Sequence, residues 1–363
     1  MGALSRKMDD LYDASIDYTV RKKGENQCIG FVASFIDDRY APGGERLLEP
    51  AAALLGELIC DPVTSHGRFV PEYFESEKTN LLEAIRSLVN DKRDWADSRL
   101  LRTMCTGEPY SIPRLGDEET VDKLQALRLY DQYRDLITTA PLEIIYSGSA
   151  ELDRVRQALA AAFATLPREE VRTIADAVPH VCRESVQTVE DEMEVTQGKL
   201  SMGFSCGSDD MPALLLGNTL FGGSSNSKLF LNVREELSLC YYASSMYHRQ
   251  KGIITVSSGI EFQNYQRAYD EILSQLAAVQ NGELEEWELA GARSTLLNSY
   301  ATVGDSQGKL ENFYLGQAAT GRSETPADLA QAVMEVSAER ICRAMSTVKL
   351  DTVYFLKGKE AQA

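Results

Sequence analysis

The sequence predicts an α+β fold built from a duplicated domain, each copy a mostly antiparallel sheet with helices packed on one face. Two observations carry that expectation. First, segments with helical apolar spacing are interspersed with short alternating or continuous apolar runs along 363 residues, 44% of them hydrophobic. That is enough for a large core and for more than one domain. Second, an ordered series of short matches recurs between the two halves. Leu81-Leu82 falls opposite Leu296-Leu297, and Asn90-Asp91 opposite Asp305-Ser306, both at an offset of 215. Leu142-Glu-Ile-Ile-Tyr146 falls opposite Leu350-Asp-Thr-Val-Tyr354 at 208, and Ser5-Arg6-Lys7 opposite Ser227-Lys228-Leu229 at 222.

In chain order, Leu4, Met8 and Leu11 share one face of a helix over 3–12. Residues 14–20 alternate as a strand, Arg21-Lys22-Lys23-Gly24 is a turn, and 28–36 is a second strand. Helices follow at 47–60, 72–90 and 94–105, then a loop at Gly107-Glu108-Pro109-Tyr110. Residues 120–138 carry a helical pattern, 142–146 a short apolar strand, and 150–166 the last helix before Pro167. The stretch Pro179-His180-Val181-Cys182-Arg183-Glu184 has no period and reads as a linker. Beyond it come a strand at 199–206, a helix at 212–220, the loop Phe221-Gly-Gly-Ser-Ser225 and a helix at 227–236. Strands at 240–246 and 253–258, helices at 265–280, 283–300 and 306–320, and a strand at 349–356 complete the pattern. The expected organisation is a first domain over 1–178, a linker over 179–186 and a second domain over 187–363.

The repeat is uneven at its start. About 40 residues (187–226) precede the helix at Ser227, whereas four precede Ser5. The first domain is therefore expected to lack an opening strand and helix, either because the true start codon lies upstream or because the protein is truncated.

Composition narrows the function. Lys and Arg number 37 against 55 Asp and Glu, a net charge of −18. Such a surface repels nucleic-acid phosphate and anionic membrane and attracts cationic ligands such as basic peptides. The N-terminus has no apolar signal segment, and no run approaches the roughly 18 apolar residues of a membrane span. Seven cysteines without a C-x-x-C pair fit reduced thiols in a cytoplasm. Gly222-Gly223 before a helix matches no phosphate-binding fingerprint. Ser224, Ser225 and Ser227 read as helix caps rather than nucleophiles, since no G-x-S-x-G surrounds them. His180 and His248 read as core or surface histidines, and Cys240 as a small buried apolar residue.

The most informative stretch runs Gly222-Gly223-Ser224-Ser225-Asn226-Ser227-Lys228-Leu229-Phe230, then Val233-Arg234-Glu235-Glu236-Leu237-Ser238-Leu239-Cys240-Tyr241. It resembles the second-domain signature of the pitrilysin/insulinase metallopeptidase family, with the same Arg-to-Tyr spacing of seven and with Ser238 where the family usually has Gly. Tyr18-Thr-Val-Arg-Lys-Lys-Gly24, the helix from Glu77-Lys78 to Asn90-Asp91, and Glu108-Pro109-Tyr110 with Gly116 resemble first-domain elements of the same family. The likeness spans nearly the whole chain. It is nearest to the non-catalytic bacterial members of two-subunit peptidases, the group associated with elongation factor P modification. The fold it implies is that of the mitochondrial processing peptidases.

Active members of that family hold zinc with H-x-x-E-H on one helix plus a distal Glu, because two His at i and i+4 share a helix face. This sequence has three histidines, His66, His180 and His248, with no i, i+4 pair. The distal Glu would fall at Ala84; Glu83 lies one residue away, about 100° round the helix. The resemblance therefore implies a zinc-free, catalytically silent subunit with no catalytic residue, no metal ligand and no cofactor of its own. Zinc would sit in a homologous partner subunit of similar size. It further implies that Arg234 and Tyr241 bind peptide substrate near the partner's zinc, a cation and a phenol aimed at the developing oxyanion. Two alternatives are an active zinc peptidase whose motif lies upstream of Met1, and a non-proteolytic scaffold.

Overall fold

The computed structural model describes residues 2–174 and 178–359. Residues 1, 175–177 and 360–363, which the expected domain spans include, lie outside the described residues. The helices are α1 (Gly2–Asp9), α2 (Leu48–Cys60), α3 (Pro71–Ser87), α4 (Lys92–Met104), α5 (Glu118–Asp122), α6 (Ala126–Thr139), α7 (Leu152–Ala162), α8 (Met211–Phe221), α9 (Tyr265–Asn281), α10 (Glu286–Ala301), α11 (Gln307–Ala318), α12 (Pro326–Met334) and α13 (Ala338–Met345). The strands are β1 (Ser15–Lys23), β2 (Asn26–Ser34), β3 (Thr64–Ser65), β4 (Arg68–Phe69), β5 (Gln187–Met193), β6 (Gly198–Ser205), β7 (Cys240–His248), β8 (Ile253–Ile260) and β9 (Lys349–Gly358). A π-helix covers Leu229–Glu236. The fold is α+β, as expected from the sequence.

The chain forms two compact units. One comprises 1–86, 114–175 and 314–321; the other comprises 87–113, 176–313 and 322–363. The repeat seen in the sequence is visible in the element order. In one half α3 leads through a 3-10 turn (Leu88–Asn90) into α4; in the other α10 leads through a 3-10 turn (Val303–Asp305) into α11. The units exchange the ends of these helical runs. Residues 87–113 join the second unit, and 314–321 join the first.

The second unit is built on a five-stranded sheet in the order β5-β9-β6-β8-β7. Only the β5–β9 pair is parallel; β6–β8, β6–β9 and β7–β8 are antiparallel. On one face Leu200, Met202, Phe204, Ile254, Val256, Val353 and Phe355 pack with side chains of α8, α9 and α13 into the main core. Helix α8 is buried almost all round, which its apolar sequence permits and a solvent-facing helix could not. Helix α9 stops at Gly282, whose φ of 79° closes the last turn in the left-handed region. Beneath the same core, Lys228 and Glu288 form a buried ion pair at 3.0 Å. Glu288 also accepts from the Glu285 N–H to cap α10.

The opposite face of this sheet is covered by α4. Ala96 and Leu100 pack on Tyr354 and Leu356, and Met104 packs on Ile253. Gly203 makes room for the helix, since a Cβ there would lie 2.6 Å from Met104 Sδ. Burial on both faces explains why β8 is buried along its whole length. Each fully buried Leu or Met of α4 contributes roughly 2 kcal/mol.

The first unit holds the β1–β2 hairpin, paired from Ser15↔Ser34 to Lys23↔Asn26. Helices α2 and α7 pack through Leu48, Ala52, Val155 and Ala158. At their closest approach Gly56 faces the Ala162 carbonyl. Arg154 pairs with Glu49 at 2.6 Å and with Asp38, and its hydrogen bonds help lower the Glu49 carboxyl to about 2. Asn26 donates to the Ala319 carbonyl at 3.2 Å, tying the 314–321 segment to the hairpin.

Several expected elements differ. Residues 142–146 form no strand. Among the described residues the only longer sheet of this unit is the two-stranded β1–β2 hairpin, and no strand pairs with this segment. Its apolar Leu142 and Ile144 stay 44% and 45% exposed. The helical pattern over 120–138 is broken into α5 and α6, because Gln125 is extended at φ −129°, ψ 141°. The segment over 227–236 is π-helical from Leu229 onward. Strand β5, the β3–β4 hairpin, α12 and α13 were not expected from the sequence.

Candidate functional site

The Gly-Gly segment follows α8 where the chain crosses β7. The Ser245 N–H donates to the Gly222 carbonyl at 2.8 Å. A Cβ on Gly222 would meet Ser245 N at 2.7 Å, so only glycine fits. Ser227 is fully buried, and its hydroxyl accepts weakly, at 3.4 Å, from the Phe230 N–H at the start of the helix.

The π-helix widens from there, with the Leu237 N–H donating to the Asn232 carbonyl five residues back. Leu229 and Val233 anchor its inner side in the core. Arg234 faces outward with its side chain 40% exposed, 3.5 Å from Glu235, and its guanidinium lies 4.7 Å from the Phe230 ring centroid. Ser238 then takes a left-handed conformation at φ 50°. This is the position where the resembled family usually has Gly.

Replacing Ser238 by Gly is therefore expected to stabilise the protein by about 0.5–1 kcal/mol. Roughly 1–2 kcal/mol of left-handed strain is relieved, against about 0.5–1 kcal/mol of added unfolded-state entropy. Urea denaturation of the Ser238→Gly variant measures it. A destabilised variant would show that the Ser238 side chain is needed here.

Strand β7 opens with an irregularity between Cys240 and Tyr242, which pair with Ile260 and Gly259. Tyr241 is the extra residue of this bulge and is 60% exposed. Its hydroxyl donates to Glu261 Oε1 at 2.5 Å, and that acceptor raises the phenol pKa, so Tyr241 stays protonated and can donate. Arg234 and Tyr241 are thus both exposed on the second unit, each displayed by an unusual stretch of backbone. Cys240 is buried and its thiol pKa is raised by desolvation.

The metallopeptidase positions look different. Glu83 is exposed on α3 and Ala84 follows it on the same helix. His66 sits in the β3–β4 turn at φ 52°. His248 ends β7, with Nδ1 2.9 Å from the Tyr110 hydroxyl and Nε2 3.0 Å from Thr255 Oγ1. Desolvation lowers its pKa to about 4, against an ordinary 6.5. A depressed imidazole pKa contributes stability above the unfolded value that is lost as pH falls towards the folded one. Stability is expected to drop by up to about 3 kcal/mol between pH 6.5 and 4 on this account. His248→Gln should flatten that slope in urea titrations across the range; an unchanged slope would assign the loss to other groups.

A second constellation in this unit was missed by sequence reasoning. His180 is 7% exposed, with Nδ1 2.8 Å from Glu108 Oε1 and Nε2 3.2 Å from Asp351 Oδ2. Glu108 Oε2 lies 2.6 Å from the ammonium of Lys251, a fully buried lysine. Asp351, also fully buried, accepts from Arg183 Nη1 at 2.6 Å and from the Arg183 N–H at 2.8 Å. Desolvation opposes ionisation of both carboxylates, but their donors and neighbouring cations hold both pKa values below normal. Sγ of fully buried Cys105 and one ligand atom each of Glu108 and His180 lie within 4.8 Å of one another, the one such donor group among the described residues. The loop Glu108-Pro109-Tyr110 was singled out in the sequence, but nothing there indicated that it meets the linker.

Comparison with known proteins fits this picture. Residues 123–296 match the family described as Peptidase M16 inactive domain. The "Probable inactive metalloprotease YmfF" of Bacillus subtilis is 34% identical over 359 residues, covering 97% of this chain and 83% of that protein. A crystal structure of a conserved protein from Enterococcus faecalis superposes with a TM-score of 0.85 at 26% identity, over 99% of this chain and 85% of that one. A peptidase M16 inactive domain from Pseudomonas fluorescens shares the fold, with a TM-score of 0.77 at 16% identity, over 100% and 85% of the two chains. Fold and sequence likeness together define a homologue of the inactive M16-like peptidases. The chain belongs to the M16 peptidase family, the pitrilysin/insulinase family that its Arg234–Tyr241 signature resembles.

Proposed function

We propose that this protein is the silent subunit, free of peptidase zinc, of a cytoplasmic heterodimeric metallopeptidase. Its partner is a homologue of similar size carrying H-x-x-E-H and zinc. This chain shapes half of the peptide chamber, and Arg234 and Tyr241 bind the substrate backbone. The observation that carries the reading is the display of those two side chains. A π-helix and a β-bulge, backbone features concentrated at functional sites, expose a cation and a phenol seven residues apart in sequence, and a substrate carbonyl would take the place of Glu261 as acceptor of the phenol proton. The net charge of −18 favours basic peptides as substrates. Within these 363 residues there is no H-x-x-E-H, and Ala84 stands where the distal Glu would be, which supports catalysis by the partner.

The test begins with capture of the protein from its native cells. Recovery of an H-x-x-E-H homologue in near-equal amount is the expected result. In that complex, Arg234→Ala and Tyr241→Phe should each lower kcat/KM for peptide cleavage about 10- to 100-fold, by weakening stabilisation of the oxyanion, with pairing intact. Full activity in both variants would overturn the assignment of these residues. Capture of translation or modification factors alone, with no cleavage, would favour a non-proteolytic role connected with elongation factor P. Intrinsic hydrolysis by a form extended upstream, lost when its H-x-x-E-H histidines are replaced, would favour an active enzyme.

A further inference from the structure

We propose that Cys105, Glu108 and His180 form a zinc-binding clip inside the second unit, distinct from any peptidase zinc motif and independent of the heterodimer reading. The donor set is a thiol, a carboxylate and an imidazole, all typical zinc ligands.

Local structure brings the first two together. Cys105 caps α4, its N–H donating to the Leu101 carbonyl, and the Glu108 N–H donates back to the Cys105 carbonyl at 2.9 Å. That turn places positions 105 and 108 side by side. His180 arrives from the linker, held by its own N–H donating to the Lys251 carbonyl at 3.0 Å.

The imidazole is set up as metal-binding imidazoles are. Both ring nitrogens face carboxylates, Nδ1 that of Glu108 at 2.8 Å and Nε2 that of Asp351 at 3.2 Å, so a metal at Nδ1 would take the place of the proton between His180 and Glu108 while Asp351 backs Nε2. Zinc bonds of about 2.0 Å to nitrogen and oxygen and 2.3 Å to sulfur put tetrahedral ligands roughly 3.3–3.6 Å apart. The donor atoms already lie within 4.8 Å of one another, with Nδ1 and Oε1 at 2.8 Å. Changes of up to about 1.5 Å in these separations complete the geometry, with Nδ1 and Oε1 moving apart and the longer separations closing.

Lys251 does not compete for the ion. Its ammonium holds Glu108 Oε2, leaving Oε1 for zinc. On binding, the Cys105 thiol proton and the proton between His180 Nδ1 and Glu108 pass to solvent; the thiolate supplies one negative charge to the ion, and the Glu108 carboxylate is shared between zinc and the Lys251 ammonium. In the metal-free protein, burial pushes that thiol up to about 12, so it is protonated until a metal arrives. Glu108 keeps 29% of its side chain exposed, which leaves a path for the ion and for a water as fourth ligand. The clip would join the end of α4, the linker and, through Lys251, the β7–β8 turn.

The experiment uses the reduced full-length protein, stripped with a chelator and titrated with Co2+ and then Zn2+. We expect one equivalent of Co2+ to produce a thiolate-to-cobalt absorption band that Zn2+ abolishes. Cys105→Ser should lack the band, and Glu108→Gln and His180→Gln should each weaken zinc binding about tenfold or more. Cys182→Ser and Cys206→Ser should keep it. Should Cys105→Ser fold poorly, the unsubstituted protein decides: Zn2+ must protect Cys105 from alkylation, read by mass spectrometry. Absence of the band, its persistence in folded Cys105→Ser, its loss in Cys182→Ser or Cys206→Ser, or alkylation of Cys105 unaffected by Zn2+ would each overturn the site and leave a purely ionic cluster.

Discussion

Replacing Asp351 by alanine is expected to destabilise the second unit by about 3 kcal/mol, because it strands four hydrogen-bond donors, one of them a half-buried guanidinium, without their acceptor. Asp351 is fully buried on β9 and accepts from the Arg183 N–H, Arg183 Nη1, His180 Nε2 and Thr352 Oγ1. Alanine leaves all four donors facing a void. Arg183 can recover part of the loss, since its side chain is 29% exposed and can turn to water. His180, at 7% exposure, cannot. Asparagine keeps the volume and one acceptor, so Asp351→Asn should cost less, on the order of 2 kcal/mol. Urea denaturation of the three proteins at neutral pH gives the ordering. A loss below about 1 kcal/mol in the alanine variant would mean that water readily replaces the carboxylate.

Gly56→Ala should cost about 1–2 kcal/mol net, against the usual benefit of alanine in a helix. Propensity alone favours alanine over glycine by about 1 kcal/mol. Here the new Cβ would stand 2.2 Å from the carbonyl oxygen of Ala162 and 2.9 Å from its carbon. Both are backbone atoms at the end of α7, so no side chain can swing aside. Helices α2 and α7 must separate by roughly an ångström, loosening Leu48, Ala52, Val155 and Ala158, and overpacking of this kind costs about 1–3 kcal/mol or more. The steric term wins. Thermal melting and limited proteolysis of α2 and α7 should both report it. A variant more stable than the parent would show that the two helices part without penalty.

The sequence was most legible where short-range chemistry decides. The Gly-Gly turn, the segment bearing Arg234, Tyr241 and the 215-residue offset between α3 and α10 could be read without coordinates. Strand β5 could not. Its Gln-Thr-Val-Glu-Asp-Glu-Met is largely polar, and it is a strand because it pairs with β9 at the sheet edge. The reverse holds at 142–146, where an apolar pattern finds no neighbouring strand and stays irregular. The π-helix was read as an ordinary helix, since the same apolar spacing at Leu229 and Val233 suits both. The cluster around His180 draws on residues near positions 105, 180, 251 and 351. No window of sequence contains them, so the linker looked like a spacer although His180 is buried.

The exchange of 87–113 for 314–321 bears on how the chain is made. A ribosome that has released the first 178 residues has not released a complete unit. The first still lacks 314–321, and the second has only 87–113. At about 5–20 residues per second, the earlier segments wait on the order of ten seconds for the pieces that finish them. Cutting the gene at the linker would divide both units, so neither half would be a self-sufficient product.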